Sequence, residues 1–86
     1  MRETKVIDVS QVNISKPVLK PRILEIISYI SNGGVSPIVK LAPIVGKRGQ
    51  YITLNRRSTD FVVAHKLMGL PLIIARFSRK LNRKVN

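Results

Sequence analysis

Proline and glycine punctuate this chain so often that only short elements fit between them, with five of each in 86 residues. Ahead of the first break, Lys5-Val6-Ile7-Asp8-Val9 is short, β-branched and locally alternating, which predicts a strand. Ser10 to Pro21 carries two prolines among polar residues and reads as loop. From Arg22 to Ser31, Ile23, Ile26, Ile27 and Ile30 recur at three- and four-residue spacing, which places them on one helical face. Pro21 suits the first helical position, where its missing N–H costs nothing, and Asn32-Gly33-Gly34 supplies the stop.

Pro37 opens a second strand-like run, Ile38-Val39-Lys40-Leu41, and Tyr51-Ile52-Thr53-Leu54 resumes the pattern after Pro43 and the turn Gly46-Lys47-Arg48-Gly49. The simplest reading is a hairpin with Lys47 and Arg48 at its exposed tip. Asn55-Arg56-Arg57-Ser58 breaks it. Ser58, Thr59 and Asp60 each suit the N-cap of a helix running to Met68, with Phe61, Ala64, Leu67 and Met68 as its buried stripe and Gly69 as its stop. Leu70 to Ala75 is apolar throughout, which predicts a strand buried on both faces. The residues from Arg76 onward read as a short basic helix or a frayed end. The order strand, helix, strand, strand, helix, strand predicts an α+β domain of about four strands and two helices over residues 1–77, followed by a basic tail at 78–86.

Composition narrows the function. At 44% apolar and 23% charged the chain has enough hydrophobic material to build a core. It has no cysteine and one histidine, which removes disulfide scaffolds, thiolate zinc sites and redox thiols. The four acids, Glu3, Asp8, Glu25 and Asp60, fall in different segments and form no recognisable metal set, so divalent-metal nuclease chemistry is disfavoured. His65 lies at the border of the predicted buried face and reads as structural. No apolar run reaches the roughly 20 residues of a membrane span, and the N-terminus has no continuous hydrophobic segment, so the expectation is a soluble cytoplasmic or nucleoid-associated protein.

Against those four acids stand sixteen Lys and Arg, giving a net charge of +12. Such a surplus on a small body recruits polyanions, and nucleic acid is the default partner, ahead of an acidic protein surface or a membrane. The basic residues cluster: Lys16, Lys20 and Arg22 in the first loop, Lys47, Arg48, Arg56 and Arg57 around the hairpin, and Arg76 to Lys84 at the end. These clusters are expected to share one surface that grips phosphates without reading sequence, in competition with an ordinary solvated face. Stacking support is thin, because only Tyr29, Tyr51, Phe61 and Phe77 are aromatic and Tyr29 and Phe61 equally suit a core.

Leu54 to Asp60 ends a strand and opens a helix, whose free N–H groups attract anions. Arg56 and Arg57 add forked, charge-assisted donors, and the Ser58 and Thr59 hydroxyls add neutral ones, so the stretch reads as a phosphate cradle. Plain helix capping with both arginines in solvent explains the same residues. Gly46-Lys47-Arg48-Gly49 matches the G-x-x-G loop with which KH domains grip RNA, although a hairpin tip accounts for both glycines.

The blocks of the chain, in order, resemble the N-terminal domain of the ParB family, whose fold also occurs in sulfiredoxin. Val6 to Val12 is similar to the opening strand, Lys20-Pro21-Arg22 to the Q-P-R before the first helix, and Gly34 to Val39 to a G-x-x-x-P-I-x-V block one spacer shorter. Gln50 to Leu54 resembles the second hairpin strand, and Ala64 to Ile73 the closing helix, glycine and strand. The family carries G-E-R-R-x-R-A, or G-C-H-R in sulfiredoxins, between that strand and helix. Counting back from Gly69 puts Ser58 to Phe61 near that register, whereas matching the arginine pair needs about four extra residues. The resemblance implies a nucleotide triphosphate site there, with CTP or ATP as ligand, while the missing cysteine removes sulfiredoxin chemistry. No counterpart of the family's helix-turn-helix region follows, so a stand-alone domain is expected.

The leading expectation is a non-enzymatic domain that binds nucleic acid, DNA ahead of RNA, through Lys47, Arg48, Arg56, Arg57, Ser58 and Thr59, with Arg79, Lys80, Arg83 and Lys84 as auxiliary contacts and no resident cofactor. The alternatives are a KH-like RNA module, a nucleotide-binding or nucleotide-hydrolysing domain acting with magnesium at Arg57 to Thr59, and an adaptor that docks on an acidic protein or pairs as a homodimer.

Overall fold

Residues 4–14 and 17–77 are described by a computed structural model. Strand β1 (Thr4–Asp8) runs into a single 3-10 turn, Val9–Gln11, and a short strand β2 (Val12–Asn13). Helix α1 (Lys20–Ser31), strand β3 (Val39–Pro43), strand β4 (Tyr51–Thr53), helix α2 (Arg56–Met68) and strand β5 (Leu72–Phe77) follow. The strands form one sheet in the order β1-β5-β3-β4-β2. β1 with β5 and β3 with β4 are antiparallel, whereas β3 with β5 and β2 with β4 are parallel.

The alternation of the strands sets the two faces of the sheet. Ile7 opposes Ile73, and Ala75 opposes Val39, so these inward positions meet in one core with Leu41. Ile23 and Ile26 of α1, together with Phe61, Val62 and Ala64 of α2, complete that core. On the other face Val6 opposes Ile74, and both are exposed, as are Leu72 and Lys40. The expectation of a last strand buried on both faces is therefore corrected: β5 alternates, because both helices pack on the same side of the sheet.

The architecture matches the predicted α+β class with one strand more than expected. The loop read at Ser10 to Pro21 contains β2, whose Val12 and Asn13 pair with Tyr51 and Ile52. Side chains secure this short pairing: Gln11 Nε2 donates to the Gly49 carbonyl, Asn13 Nδ2 to Gln50 Oε1, and Lys66 Nζ to the Val12 carbonyl. Asp8 caps the turn in between, accepting from Ser10 N while its own N–H donates to Gln11 Oε1. Those Ser10 hydrogen bonds, with a smaller contribution from the Lys66 charge, hold the Asp8 carboxyl below the ordinary carboxylate range.

Two helical expectations also change. α2 begins at Arg56, capped by Asn55 rather than by Ser58, Thr59 or Asp60. Leu67, placed on the buried stripe, is 68% exposed, and His65 takes an interior position instead. The turn Gly46–Gly49 joins two antiparallel strands, so the KH-like reading, which needs this loop between helices, is overturned. Gly69 closes α2 as expected, with φ 74°, a left-handed conformation that a side chain disfavours.

Candidate functional site

Asn55 sits in extended backbone at the end of β4, and its Oδ1 accepts from Ser58 N at 2.8 Å. Its carbonyl accepts from both the N–H and the hydroxyl of Thr59. The Ser58 hydroxyl accepts from Lys40 N at 2.8 Å, which ties the start of α2 to β3, and the Thr59 and Thr53 hydroxyls are hydrogen-bonded to each other. Ser58 and Thr59 are thus buried and engaged in holding the helix, and their hydroxyls do not face an open phosphate cradle.

What this packing leaves open is the ends of the two helices. A cleft of about 320 Å³ is lined by Leu19 and Arg22 from the start of α1 and by Arg56, Arg57 and Asp60 from the start of α2. Leu19, the N-cap of α1, makes no side-chain capping bond, and neither helix has an acidic residue in its first turn. Helix N-termini carry partial positive charge, so both dipoles add to the arginines around the cleft. Arg56 and Arg57 are exposed.

Asp60 is the exception in this basic ring. It is 2% exposed; its Oδ2 lies 3.7 Å from Arg22 Nε, and its Oδ1 has no hydrogen-bond partner. Arg22 also lies 3.8 Å from the exposed Glu25 carboxylate. The pairing of Asp60 with Arg22 was not visible in the sequence, because the two meet only when α1 and α2 pack.

The hairpin-tip cluster does not gather here. Lys47 and Arg48 are exposed at the β3–β4 tip, at the opposite end of β4 from the cleft, so the expected single surface is divided. Arg79, Lys80, Arg83 and Lys84, like Lys16, lie outside the described residues. Phe61 belongs to the core, and Tyr51 packs against Phe77 with ring centroids 5.0 Å apart. His65 is buried: Nδ1 donates to the Phe61 carbonyl at 2.8 Å, and Nε2 lies 3.2 Å from the Ser36 hydroxyl, so the ring latches the segment after α1 onto α2. Among the described residues no three His, Asp or Glu side chains converge as a metal site, and no helix is long and apolar enough to cross a membrane.

No family model and no curated protein matches the chain. Solved structures do. Sulfiredoxin from Arabidopsis thaliana superimposes with a TM-score of 0.67 at 14% identity, covering 88% of this chain and 84% of that one. The C-terminally truncated chromosome-partitioning protein ParB from Caulobacter crescentus, complexed with CTP-γ-S, gives a TM-score of 0.69 at 12% identity, covering 88% of this chain and 44% of that one. The chain has the ParB/sulfiredoxin fold. A free serine kinase in complex with AMP carries the same fold, with a TM-score of 0.77 at 12% identity over 88% of this chain, which spans 31% of the kinase's length. Within the ParB/sulfiredoxin fold expected from the sequence blocks, the strand-to-helix junction of this chain is Leu54 to Arg57. The arginine pair occupies it because α2 starts two residues before Ser58.

Proposed function

We propose that this ParB/sulfiredoxin-like domain binds nucleic acid through its phosphates, with the cleft between the starts of α1 and α2 as the principal grip. One observation carries the reading: Arg22, Arg56 and Arg57 converge on a single cleft at two helix N-termini that lack first-turn acids. Backbone N–H groups and guanidinium forks are the donors that phosphate oxygens accept from best. Lys47 and Arg48 form a second contact beyond the far end of β4, reached by a strand lying along the molecule; Arg79, Lys80, Arg83 and Lys84, outside the described residues, are auxiliary contacts of the same proposal. The role is binding rather than catalysis, since the acids are few and dispersed.

Fluorescence anisotropy with labelled DNA and RNA strands across a salt series tests the proposal. Affinity falls with salt, and replacing both Arg56 and Arg57 by alanine lowers the log–log slope by about 2, roughly one per lost phosphate contact. Negligible binding to every strand at low salt refutes it. A second reading, a mononucleotide site for CTP or ATP, is favoured by neighbours of this fold solved with CTP-γ-S and AMP. Calorimetry with each nucleotide and magnesium separates the two, and heat with a nucleotide but no strand binding selects the second.

A further inference from the structure

We propose that the uncovered face of the sheet docks an acidic amphipathic segment of another protein, with the partner's aliphatic side chains on Val6, Ile38, Leu72 and Ile74 and its carboxylates on Lys40 and Arg76. The surface lies across the sheet from both helices, so the inference goes beyond the phosphate grip and does not depend on it. By register Val6 opposes Ile74, which sets two β-branched side chains next to each other on this face, 63% and 51% exposed. Leu72, 58% exposed, precedes Ile74 by two residues on β5. The parallel register of β3 with β5, carried back two residues from Lys40, sets the exposed Ile38 beside Ile74. A contiguous aliphatic surface left in water after folding marks an interaction site. The partner meets the face and not an edge. β2 is only two residues long, and β1 carries Lys5 on its core-facing side at the other edge, a charge that blocks the addition of a further strand.

Charge decides what covers this face. Lys40 and Arg76 are cross-strand neighbours at one end of the aliphatic row. Among the described residues the strands hold a single acid, Asp8, and its Oδ1 already accepts from Ser10 N. A second copy matches the aliphatic row but brings the same cations against each other, each on a body of net charge +12. Nucleic acid satisfies the cations and offers no aliphatic surface. An anionic bilayer supplies both chemistries, but these aliphatics stand on a sheet face and not on the kind of amphipathic helix that lies within a headgroup layer. A protein helix with an aliphatic stripe bordered by Asp or Glu meets every condition: it adds a third layer to the sheet and pairs its carboxylates with both cations.

The chain has no tryptophan, so Ile74→Trp gives a single fluorescent reporter on this face, and Leu24→Trp, on the exposed surface of α1, gives a control. The probe is a synthetic helical peptide of leucine and glutamate with its leucines along one face. It is titrated into each variant of the full chain beside the same peptide with lysine for glutamate, and beside vesicles of phosphatidylcholine and phosphatidylglycerol. The acidic peptide shifts the emission of Ile74→Trp to the blue and leaves Leu24→Trp unchanged. In the wild type it perturbs the NMR signals of Val6, Leu72 and Ile74, a readout that stands even if a variant fails to fold. Val6→Ser combined with Leu72→Ser weakens the peptide at least about tenfold, the scale of two partly buried aliphatic side chains. Lys40→Glu weakens it by up to about fivefold, the scale of an exposed ion pair. Equal binding of the lysine peptide overturns the acidic partner, and equal shifts in both reporters overturn the face. A blue shift that grows with protein concentration and needs no peptide assigns the surface to a second copy, and a shift with vesicles alone assigns it to a lipid surface. Either result overturns the proposal, as does the absence of any response to the acidic peptide.

Discussion

Asn55 joins the stability of α2 to the electrostatics of the cleft, and two substitutions there should move these properties in different ways. Asn55→Ala removes the Oδ1 acceptor of Ser58 N but leaves the Asn55 carbonyl bonds to Thr59 intact, so one capping bond is lost. An N-cap substitution of this kind costs about 1 kcal/mol, within a range of roughly 0.5–2. For a domain of this size that corresponds to a fall of about 4–8 °C in melting temperature. Asn55→Asp keeps the acceptor and adds a negative charge at a helix N-terminus, worth about 0.3–1 kcal/mol, so its melting temperature is held or raised. The same charge stands beside Arg56 and Arg57 and offsets their pull on phosphate, so strand affinity drops while stability does not. Thermal denaturation by circular dichroism and anisotropy on the same samples measure both. If Asn55→Ala melts within about 1 °C of the wild type, the capping assignment is wrong; if Asn55→Asp binds strands as well as the wild type, the cleft is not the grip.

Other substitutions probe the core and the turns. Leu41→Ala empties a fully buried position at the centre of the sheet and should cost about 2–5 kcal/mol in urea denaturation, enough to approach complete unfolding in a small domain. Gly34→Ala places a Cβ 2.5 Å from the Tyr29 ring, so the ring must swing away and lose its hydroxyl bond to the Val35 carbonyl; the change in Tyr29 contacts is read by NMR, and an unaltered ring environment contradicts the packing. The Asp8 carboxyl is held below its ordinary range in the folded state, so its contribution is present above the unfolded value of about 4 and is lost as pH falls through the lower folded value. Asp8→Asn should accordingly flatten the acid limb of the stability–pH curve, and an unchanged limb would exclude a role for Asp8.

How far the sequence announced this molecule depends on the range of the interactions involved. α1, the β3–β4 hairpin and the stop at Gly69 are specified by local periodicity and turn chemistry, and they lie where those signals put them. β2 was invisible because two residues carry no alternation of their own; it exists only through Tyr51 and Ile52, far along the chain. The start of α2 was misplaced because Asn55, Ser58, Thr59 and Asp60 are all good caps, and what decides among them is tertiary: Lys40 N and Thr53 occupy the hydroxyls of Ser58 and Thr59. Arg56 and Arg57 were legible as candidate phosphate ligands. The meeting of Arg22 with Asp60 was not, since one helix brings the first and another the second.

The bare face of the sheet gives the molecule two opposed responses to salt. Val6, Leu72 and Ile74 present apolar surface to water on a body of net charge +12, and mutual repulsion between such bodies keeps those surfaces apart. Ions shorten the reach of that repulsion to about 8–10 Å at physiological strength and less above it, while leaving apolar attraction in place. Under the proposed function, the conditions that loosen a bound strand are therefore those that favour self-association, and a bound strand, by neutralising charge, would lower the same colloidal barrier from within.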